Sequence, residues 1–502
     1  MSLLLVAVLA VPAIGALVVA FLPDRSGRIT ATVAAAVTFV LTVLLIIPRT
    51  GDSGWFAYTP LTNTAPPITP WADLNVSWIP ALEVDFHLGV DGISYPLVVL
   101  TGLLTLLCCG YTVKNVPAGA GSGRTLAALL LVLEVGILGT FLALDLVLFF
   151  VFFEVVLLPM YAVIAGWGGP DRRRAARKFV LYTLFGSVLM LLGVFTVVVA
   201  AGTADMLALA GGLGLSRNVQ YAAFLLFAVA FAVKAPLWPL HTWLPDAHTE
   251  APTVGSVILA GVLLKMGTYG LIRVGVGVAP EGAAWAAPVL GVLAVAAIII
   301  GSLICLRQTE LKRLIAYSSV GHMGFVLLGI ATLTVTGMQA ALIGNIAHGV
   351  ITGLLFFLAG AIKDRAHTGD LAELGGLRES APRLAGLLAF AAIASLGLPG
   401  LAGFWGEAFA VVAAVERGGA LWTTLAVLAA AGGALTGAYF MRLLRRVTHG
   451  PPVLDLPHPR VRRVEWAAWS PLILLALLIG LVPALVTSGT GDPLAALTEA
   501  LR

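Results

Sequence analysis

Two lysines lie in the middle of long apolar segments of this 502-residue chain. Lys234 stands in Phe-Ala-Val-Lys-Ala-Pro-Leu-Trp-Pro, and Lys265 stands in Val-Leu-Leu-Lys-Met-Gly. A charged side chain at the centre of a bilayer costs roughly 2.5–3.5 kcal/mol on insertion scales. Most other positive charge is arginine, which keeps its proton, whereas a desolvated lysine can release one. This contrast predicts proton chemistry inside a membrane.

Other ionisable residues occur at comparable depth in the apolar segments. A chain of such groups with unequal proton affinities, bridged by water, can carry protons across a low-dielectric layer. The predicted proton path consists of Glu154, Lys234, Lys265, His322, His348 and Glu407. Possible additional positions are Glu134, Lys178, His241, Asp246 and His248. Alternatively, the two membrane histidines only fill space in the core, and Glu134 is a structural acid.

Glu154 follows a run of phenylalanines, and Lys234 is its natural partner because it is a strong base beside a predicted helix break. Two unit charges 4 Å apart attract by about 4 kcal/mol at an effective dielectric constant of 20. Closing this pair would keep Lys234 protonated, and opening it would let burial drive the proton onward. We therefore predict a switch. The alternative is a static buried ion pair.

Lys265 and Glu407 are predicted to occupy the centre and the end of the path. No acid lies three or four positions from Lys265, and glycines flank it. The alternative, that its side chain reaches the membrane surface, would require crossing about half of the segment. Glu407 follows Pro399 and Gly400 by two helical turns, which makes it the predicted terminal proton site.

Composition predicts an all-α polytopic membrane protein. The chain is 60% hydrophobic and 11% charged, with a mean hydropathy of +1.02. Apolar segments of about 20 residues, long enough to cross a bilayer, recur along it, and the first is expected to be retained rather than cleaved. The fourteen predicted spans are 2–22, 29–48, 90–112, 125–144, 146–166, 177–201, 219–242, 253–278, 285–305, 313–333, 338–361, 384–411, 421–444 and 468–487.

The loop charges predict the orientation. Odd-numbered loops carry 22 lysines and arginines, whereas even-numbered loops and termini carry five, namely Arg49, Arg217, Arg273, Arg417 and Arg502. Because basic loops stay in the cytoplasm, both termini are expected on the non-cytoplasmic side of a bacterial cell membrane. Basic charge thus reflects topology, and no nucleic-acid partner is expected. The three cysteines have no metal-binding spacing, and no nucleotide-binding motif occurs.

Two predicted helix breaks and an internal offset indicate two inverted repeats. Pro236 and Pro239 interrupt span 7, and Pro399 with Gly400 interrupts span 12. Ionisable positions in spans 4–8 recur about 170 positions later in spans 9–13. Five spans per repeat reverse the orientation of the second copy. The predicted units are residues 1–124, the repeats 125–278 and 279–446, and a last span in 447–502.

Three motifs resemble the antiporter-like membrane subunits of respiratory complex I, most closely the subunit M group, called chain 4 in mitochondria. They are Phe-Phe-Glu-Val-Val-Leu-Leu-Pro-Met-Tyr at Glu154, Val-Lys-Ala-Pro-Leu-Trp-Pro-Leu-His-Thr-Trp-Leu-Pro-Asp-Ala-His at Lys234, and Gly-Leu-Pro-Gly before Gly-Glu at Glu407. The long sister subunit usually carries lysine at this last position and extends into a lateral helix that is not expected here.

The resemblance implies a 14-helix subunit of the membrane arm of NADH:quinone oxidoreductase, beside other antiporter-like subunits. Glu154 would pair with Lys234, Lys265 would be central, and Glu407 would end the channel. The resemblance also implies that NADH, FMN, iron–sulfur clusters and quinone bind to partner subunits, leaving this chain without cofactor or metal.

Three other functions remain open from the sequence. The large membrane component designated D in multi-subunit Na+/H+ antiporters shares the signature of this superfamily, and so does a membrane subunit of an energy-converting hydrogenase. The third is a membrane scaffold whose buried charges only fix the packing of the helices.

Overall fold

A computed structural model describes residues 2–47, 70–80, 83–119, 121–450, 460–488, 490, 494 and 497–498. Arg49 and Arg502, which enter the charge argument, lie outside these residues. The described chain is mostly helical. Its α-helices are α1 Ser2–Phe21, α2 Asp24–Leu44, α3 Tyr95–Thr112, α4 Gly123–Leu142, α5 Leu146–Val155, α6 Leu157–Trp167, α7 Arg172–Ala201, α8 Arg217–Lys234, α9 Trp243–Glu250, α10 Thr253–Ile258, α11 Leu264–Gly270, α12 Pro280–Arg307, α13 Leu311–Thr332, α14 Val335–Ala366, α15 Leu377–Ser380, α16 Pro382–Ser395, α17 Ala402–Arg417, α18 Gly419–Thr448, α19 Arg463–Leu481 and α20 Ala484–Thr487.

Within the described residues, twelve helical segments are long and apolar enough to cross a membrane. The multi-pass helical membrane fold is therefore confirmed. The two predicted spans missing from these twelve are spans 7 and 12, whose helices are interrupted. Their separate pieces do not meet the same length and hydropathy requirement, so the count of fourteen stays a prediction.

Helices end beside the predicted path residues in both of these spans. In span 7, α8 ends at Lys234, and the next helix begins only at Trp243. In span 12, α16 ends at Ser395, and Gly400 has a φ of 89°, a conformation that favours glycine. Irregular backbone at membrane depth persists only where protein or water satisfies the freed polar groups.

A third interruption was not predicted from the sequence. Span 5 consists of α5 and α6, which meet at Val156, directly after the turn that carries Glu154. Pro159 explains the interruption because it lacks an N–H group and its ring crowds the carbonyl four residues earlier, that of Val155. All three interruptions therefore lie close to an ionisable residue of the path or to one of its hydrogen-bond partners.

A β-hairpin departs from the all-α prediction. Strand β1, Ala72–Ile79, pairs antiparallel with β2, Val84–Val90, in the loop between α2 and α3. The alternation of apolar and polar residues in both strands is the signal that could have found it. As a result, α3 begins at Tyr95, a few residues later than the predicted start of span 3.

Two short backbone bridges recur in the two predicted repeats. Asp145 pairs with Asp205, and Glu310 pairs with Asp370, so that both partners are shifted by 165 positions. Asp145 caps the start of α5, and Glu310 caps the start of α13, each by accepting hydrogen bonds from the first turn of its helix. This recurrence supports the proposal of two repeats.

The most deeply buried spans form the centre of the molecule. All of the most apolar stretch of Thr253–Val276 is buried, and so is 94% of the corresponding stretches of α13 and α14. These three segments carry Lys265, His322 and His348 respectively. By contrast, only 28% of this stretch of α2 is buried, so the helix faces lipid on most of its surface.

Candidate proton path

The centre of the path is a direct contact between Lys265 and His348. The Lys265 side chain is fully buried, and its Nζ lies 2.6 Å from Nδ1 of His348. Nζ also donates a hydrogen bond to the carbonyl of Ala260. When Nδ1 of His348 is unprotonated, its lone pair can accept a proton from the Lys265 ammonium in a single step. The structure therefore brings together two residues that were predicted separately.

The helix around Lys265 contains two π-helical turns, at Leu259–Leu263 and Leu271–Val276. Such wide turns are rare and occur often at functional sites. The first includes Ala260, whose carbonyl receives the Lys265 hydrogen bond. No local signal in the sequence predicted these turns.

Gly267 brings this helix against the break in span 7. A Cβ atom there would lie 2.7 Å from the backbone nitrogen of Ala235 and 2.8 Å from the carbonyl oxygen of Phe231. Only glycine permits this approach without movement of the backbone. The helix carrying Lys265 thus touches the end of the helix carrying Lys234.

His348 faces His322 across a small cavity. Their ring centroids are 5.8 Å apart. Both residues line a cavity of about 30 Å³, together with Ser395 and Glu407. This volume suffices for a water molecule, and the lining offers the polar partners that a buried water needs. A single bridging water would therefore connect the two histidines.

His322 connects this cavity to Glu407. Its Nδ1 lies 2.8 Å from Oε1 of Glu407, and its Nε2 lies 2.9 Å from Oγ of Ser395. If Nδ1–H of His322 donates a hydrogen bond to the Glu407 carboxylate, Nε2 accepts a hydrogen bond from the Ser395 hydroxyl. Lys265, His348, His322 and Glu407 thus form one line from the centre of the protein to the break in span 12. Ser395, the last residue of α16, was not predicted.

Glu154 and Lys234 are separate in this structure. Glu154 Oε1 accepts a hydrogen bond from the hydroxyl of Ser187 on α7. Lys234 Nζ lies over the ring of Phe153, 4.5 Å from its centroid, which is a cation–π contact. Among the described residues, no ion pair joins the two groups. The geometry corresponds to the open form of the predicted switch, and the closed form stays a prediction.

Lys178 and Asp246 form an ion pair beside the break in span 7. The Lys178 ammonium lies 2.7 Å from the Asp246 carboxylate and donates to the carbonyl of Thr242, also at 2.7 Å. Arg313 approaches the same carboxylate at 3.3 Å. The pair connects α7 with α9, which positions the segment that follows Lys234.

His241, His248 and Glu134 are buried with unused polar atoms. Neither ring nitrogen of His248 has a hydrogen-bond partner in the described structure, and its ring stacks on Phe356. Nδ1 of His241 and both carboxyl oxygens of Glu134 also lack partners there. Buried polar atoms of this kind call for water or a proton. Such atoms are expected beside a hydrated path. In the described residues, however, no hydrogen bond joins these three side chains to the line from Lys265 to Glu407.

Four further polar residues were missed by the sequence argument. Ser187 and Ser395 hold Glu154 and His322, and Asn345 accepts a hydrogen bond from Thr268 at 2.9 Å, one turn from Lys265. Lys312, which is 5% exposed, donates to the carbonyl of Ala251. For Ser187, Ser395 and Asn345, polarity inside apolar spans was the available signal, but these side chains carry no charge that would distinguish them from packing residues. Lys312 precedes the predicted span 10 and was counted among the loop charges.

Arg273 also differs from its assignment in the charge argument. It was counted as a loop residue, but it lies buried in the second π-helical turn, where it donates to the carboxylate of Asp91. This ion pair ties the helix of Lys265 to the start of α3.

Within the described residues, no group of three or more histidine, cysteine, aspartate or glutamate side chains is arranged to hold a metal ion.

A histidine outside the membrane spans links the hairpin to the path. His87 on β2 lies 2.8 Å from Asp73 and 2.7 Å from Asp205. Burial by itself would lower the pKa of His87, but hydrogen bonds and charge from Asp205 and Asp73 outweigh it and raise the pKa. Asp205 in turn pairs with Asp145, the residue that caps α5.

Comparison with known proteins identifies the family of this chain. Residues 143–433 match the family described as NADH:quinone oxidoreductase/Mrp antiporter, transmembrane. NADH-quinone oxidoreductase subunit M of Rhodobacter capsulatus is 39% identical over 491 residues, covering 95% of this chain and 91% of the relative. NAD(P)H-quinone oxidoreductase chain 4 3 of Trichormus variabilis is 37% identical over 493 residues, covering 96% and 89%.

A solved structure matches over nearly the same length. In respiratory complex I from Thermus thermophilus with bound NADH, one chain superimposes with a TM-score of 0.86 at 30% identity, covering 99% of this chain and 100% of that one. This chain therefore belongs to the family of NADH:quinone oxidoreductase and Mrp antiporter transmembrane subunits, within its subunit M and chain 4 group.

Proposed function

We propose that this chain is a proton-translocating subunit in the membrane arm of an NADH:quinone oxidoreductase. It acts as part of a translocase and contains no redox centre. Protons move along Glu154, Lys234, Lys265, His348, His322 and Glu407, driven by quinone reduction in other subunits. The observation that carries this proposal is the line from Lys265 through the two histidines to Glu407, in which only a water-sized cavity separates the two histidines.

The proposed mechanism depends on the charge of Lys234. When Glu154 leaves Ser187 and approaches Lys234, the pair attracts by about 4 kcal/mol at 4 Å and an effective dielectric constant of 20, so the lysine keeps its proton. When the pair opens, desolvation favours the neutral lysine. The released proton then passes towards Lys265, since Gly267 brings the two helices into contact.

The two repeats would form two half-channels that meet at Lys265. Residues 125–278 carry the first and residues 279–446 the second, in inverted orientation. The recurrence of the Asp145–Asp205 bridge as Glu310–Asp370 supports this division. The distribution of basic residues among the loops supports an orientation with both termini on the non-cytoplasmic side of a bacterial cell membrane.

Partner subunits supply the redox chemistry in this proposal. The names of the relatives indicate an NADH- or NAD(P)H-quinone oxidoreductase. NADH, FMN, iron–sulfur clusters and quinone would bind to other subunits, and neighbouring antiporter-like subunits would pack against this chain in the bilayer.

Mrp-type Na+/H+ antiport is the second candidate because the matched family includes both kinds of protein. An energy-converting hydrogenase would use the same path with another electron donor. The identity of over 35% to subunit M and chain 4 relatives across almost the whole chain favours the quinone oxidoreductase.

Purification of the native complex through a tag on this chain distinguishes these functions. We expect NADH:quinone reductase activity and flavin- and iron–sulfur-containing subunits to copurify. Recovery of only small membrane subunits, with sodium-dependent proton exchange and no NADH oxidation, would show an antiporter instead. Copurification of hydrogenase activity would assign the chain to the third assembly.

A further inference from the structure

A long apolar groove lies at the surface of this chain, between α3 and α19. We call it the α3–α19 groove; it has a volume of about 570 Å³. Leu103, Leu107 and Gly110 line it on α3, and Val464, Ala467 and Leu474 line it on α19. Volumes of this size are typical of sites for small molecules. The groove is separate from the proton path.

The length of the groove matches one leaflet of a bilayer. Its lining on α19 extends from Val464 to Leu475, about 16 Å at 1.5 Å per helical residue. The hydrocarbon core of a bilayer is about 30 Å thick, so the groove covers about half of it. A transmembrane helix of a neighbouring subunit would need contact along the full thickness, whereas a phospholipid acyl chain spans one leaflet.

Positive charge lies at the end of the groove nearest the membrane surface. Arg463 directly precedes Val464, and Lys114 follows Tyr111 by three residues, one turn beyond the lining of α3. Both side chains are exposed, and neither forms an ion pair within the described part of the chain. Basic residues between transmembrane helices at this depth attract anionic lipid headgroups.

Two acidic groups lie near this end of the groove, and each has basic neighbours of its own. The charge of Asp364 is offset by those of Lys312, Arg462 and Arg365. Glu465 is fully buried and is already paired with Arg365 at 2.7 Å and with Arg462 at 2.8 Å. Its carboxylate is therefore directed into the protein and neutralised there. Arg463 and Lys114 remain free to bind a phosphate from outside.

We propose that the α3–α19 groove binds one anionic phospholipid, from the leaflet on whose side Arg463 and Lys114 lie. An acyl chain fills the apolar groove, and the phosphate lies at Arg463 and Lys114. The lipid covers the contact between α3 and the last long helix, α19. This assignment is independent of the redox reaction of the complex, because it concerns a surface away from the path.

The proposal is tested by the amount of phospholipid that the assembled complex retains. The complex is purified from native membranes in mild detergent. Ala467→Phe places a ring in the groove, and Ala467 is exposed, so the substitution does not disturb the core. We expect Ala467→Phe to lose one phospholipid per copy in quantitative mass spectrometry of extracted lipids. Ala430→Phe is the matched control, since Ala430 is also exposed but lies on α18, away from the groove.

A second variant tests the charged end. Arg463→Gln combined with Lys114→Gln should lower the anionic share of the retained lipid and leave assembly intact. An unchanged lipid count in Ala467→Phe would overturn the proposal, as would an unchanged anionic share in the double variant. Loss of a partner subunit without loss of lipid would assign the groove to a protein contact instead.

Discussion

The two halves of the path differ in whether acid and base touch. In the second half, Glu407 contacts His322 at 2.8 Å, and His322 continues to the cavity shared with His348. In the first half, the carboxylate of Glu154 is held by Ser187, and Lys234 rests on the ring of Phe153. Both halves have an interrupted helix beside the ionisable group, so the interruption alone does not decide the contact.

This difference indicates a division of roles. Lys234 forms no hydrogen bond among the described residues, so its charge depends on whether Glu154 approaches. The residues of the second half already lie within hydrogen-bond distance or one water molecule of each other. The first half is therefore suited to control the proton, and the second half is suited to conduct it.

Removal of Lys265 should have the largest effect, because this residue joins the two halves. We expect Lys265→Met to reduce the proton pumping carried by this subunit by about 100-fold, the lower range for loss of a proton-transfer group. Proton uptake into vesicles containing the reconstituted complex measures this effect. Lys363→Met, at the half-exposed end of α14, is the control and should pump normally. Pumping by Lys265→Met at the wild-type rate would disprove the central role.

Lys234→Ala and Glu407→Gln compare the halves directly. Lys234→Ala removes the switch and should strongly reduce this subunit's pumping, though less than Lys265→Met does, while the complex assembles in normal amount. Glu407→Gln keeps an oxygen acceptor for His322 but loses the charge and the proton-binding site. Because this site lies at the end of the path, beside the break in span 12, we expect a smaller, roughly tenfold loss, close to the range for a hydrogen bond to a charged group. Pumping rates and the amount of complex in the membrane measure both. Reduced abundance of Lys234→Ala, with the remaining complex fully coupled, would favour a scaffold.

Ser187→Ala tests whether Ser187 holds the first half open. A hydrogen bond to a charged group contributes about 1.5–3 kcal/mol, so its loss should shift Glu154 towards Lys234 and slow pumping up to about tenfold. Ser187→Thr keeps the hydroxyl and is the matched control. In the background of Lys234→Gln, Ser187→Ala should have no further effect. If the effects of Ser187→Ala and Lys234→Gln on the activation free energy of pumping add within about 0.5 kcal/mol in the double variant, Ser187 does not act through the Glu154–Lys234 pair.

The smallest effect concerns His87, which lies before the two repeats and contacts Asp205 of the first half. Its raised pKa means that the stabilisation from Asp205 and Asp73 is complete below the ordinary pKa of 6.5 and is lost as pH rises through the folded-state value. Amide hydrogen exchange in Val84–Val90, corrected for the intrinsic pH dependence, should therefore accelerate from about pH 6.5 upwards. His87→Gln should remove this dependence. The same pH profile in both proteins would exclude His87 as its origin.

Much of this fold follows from local properties of the sequence. Long apolar segments require helices in a bilayer because every backbone polar group must be satisfied within the segment. Prolines at 236, 239 and 399 lie where α8 and α16 end, since proline lacks the N–H group that continues a helix. Proline alone does not decide an interruption, because Pro12, Pro288 and Pro471 lie inside the helices α1, α12 and α19. Ionisable residues such as Lys234 and Glu407 stand out because apolar surroundings make them costly.

Tertiary structure decided which of these residues meet. Lys265 and His348 are 83 positions apart, and His322 and Glu407 are 85 apart, so no local pattern specifies their contacts. Lys234 and Glu154 were predicted as partners from charge alone, but the packing of α7 supplies Ser187 as a competing donor. The sequence determined that ionisable groups lie inside apolar segments at membrane depth. Helix packing determined which contacts are closed, because hydrogen bonds depend on separations of a few ångströms that only the assembled bundle sets.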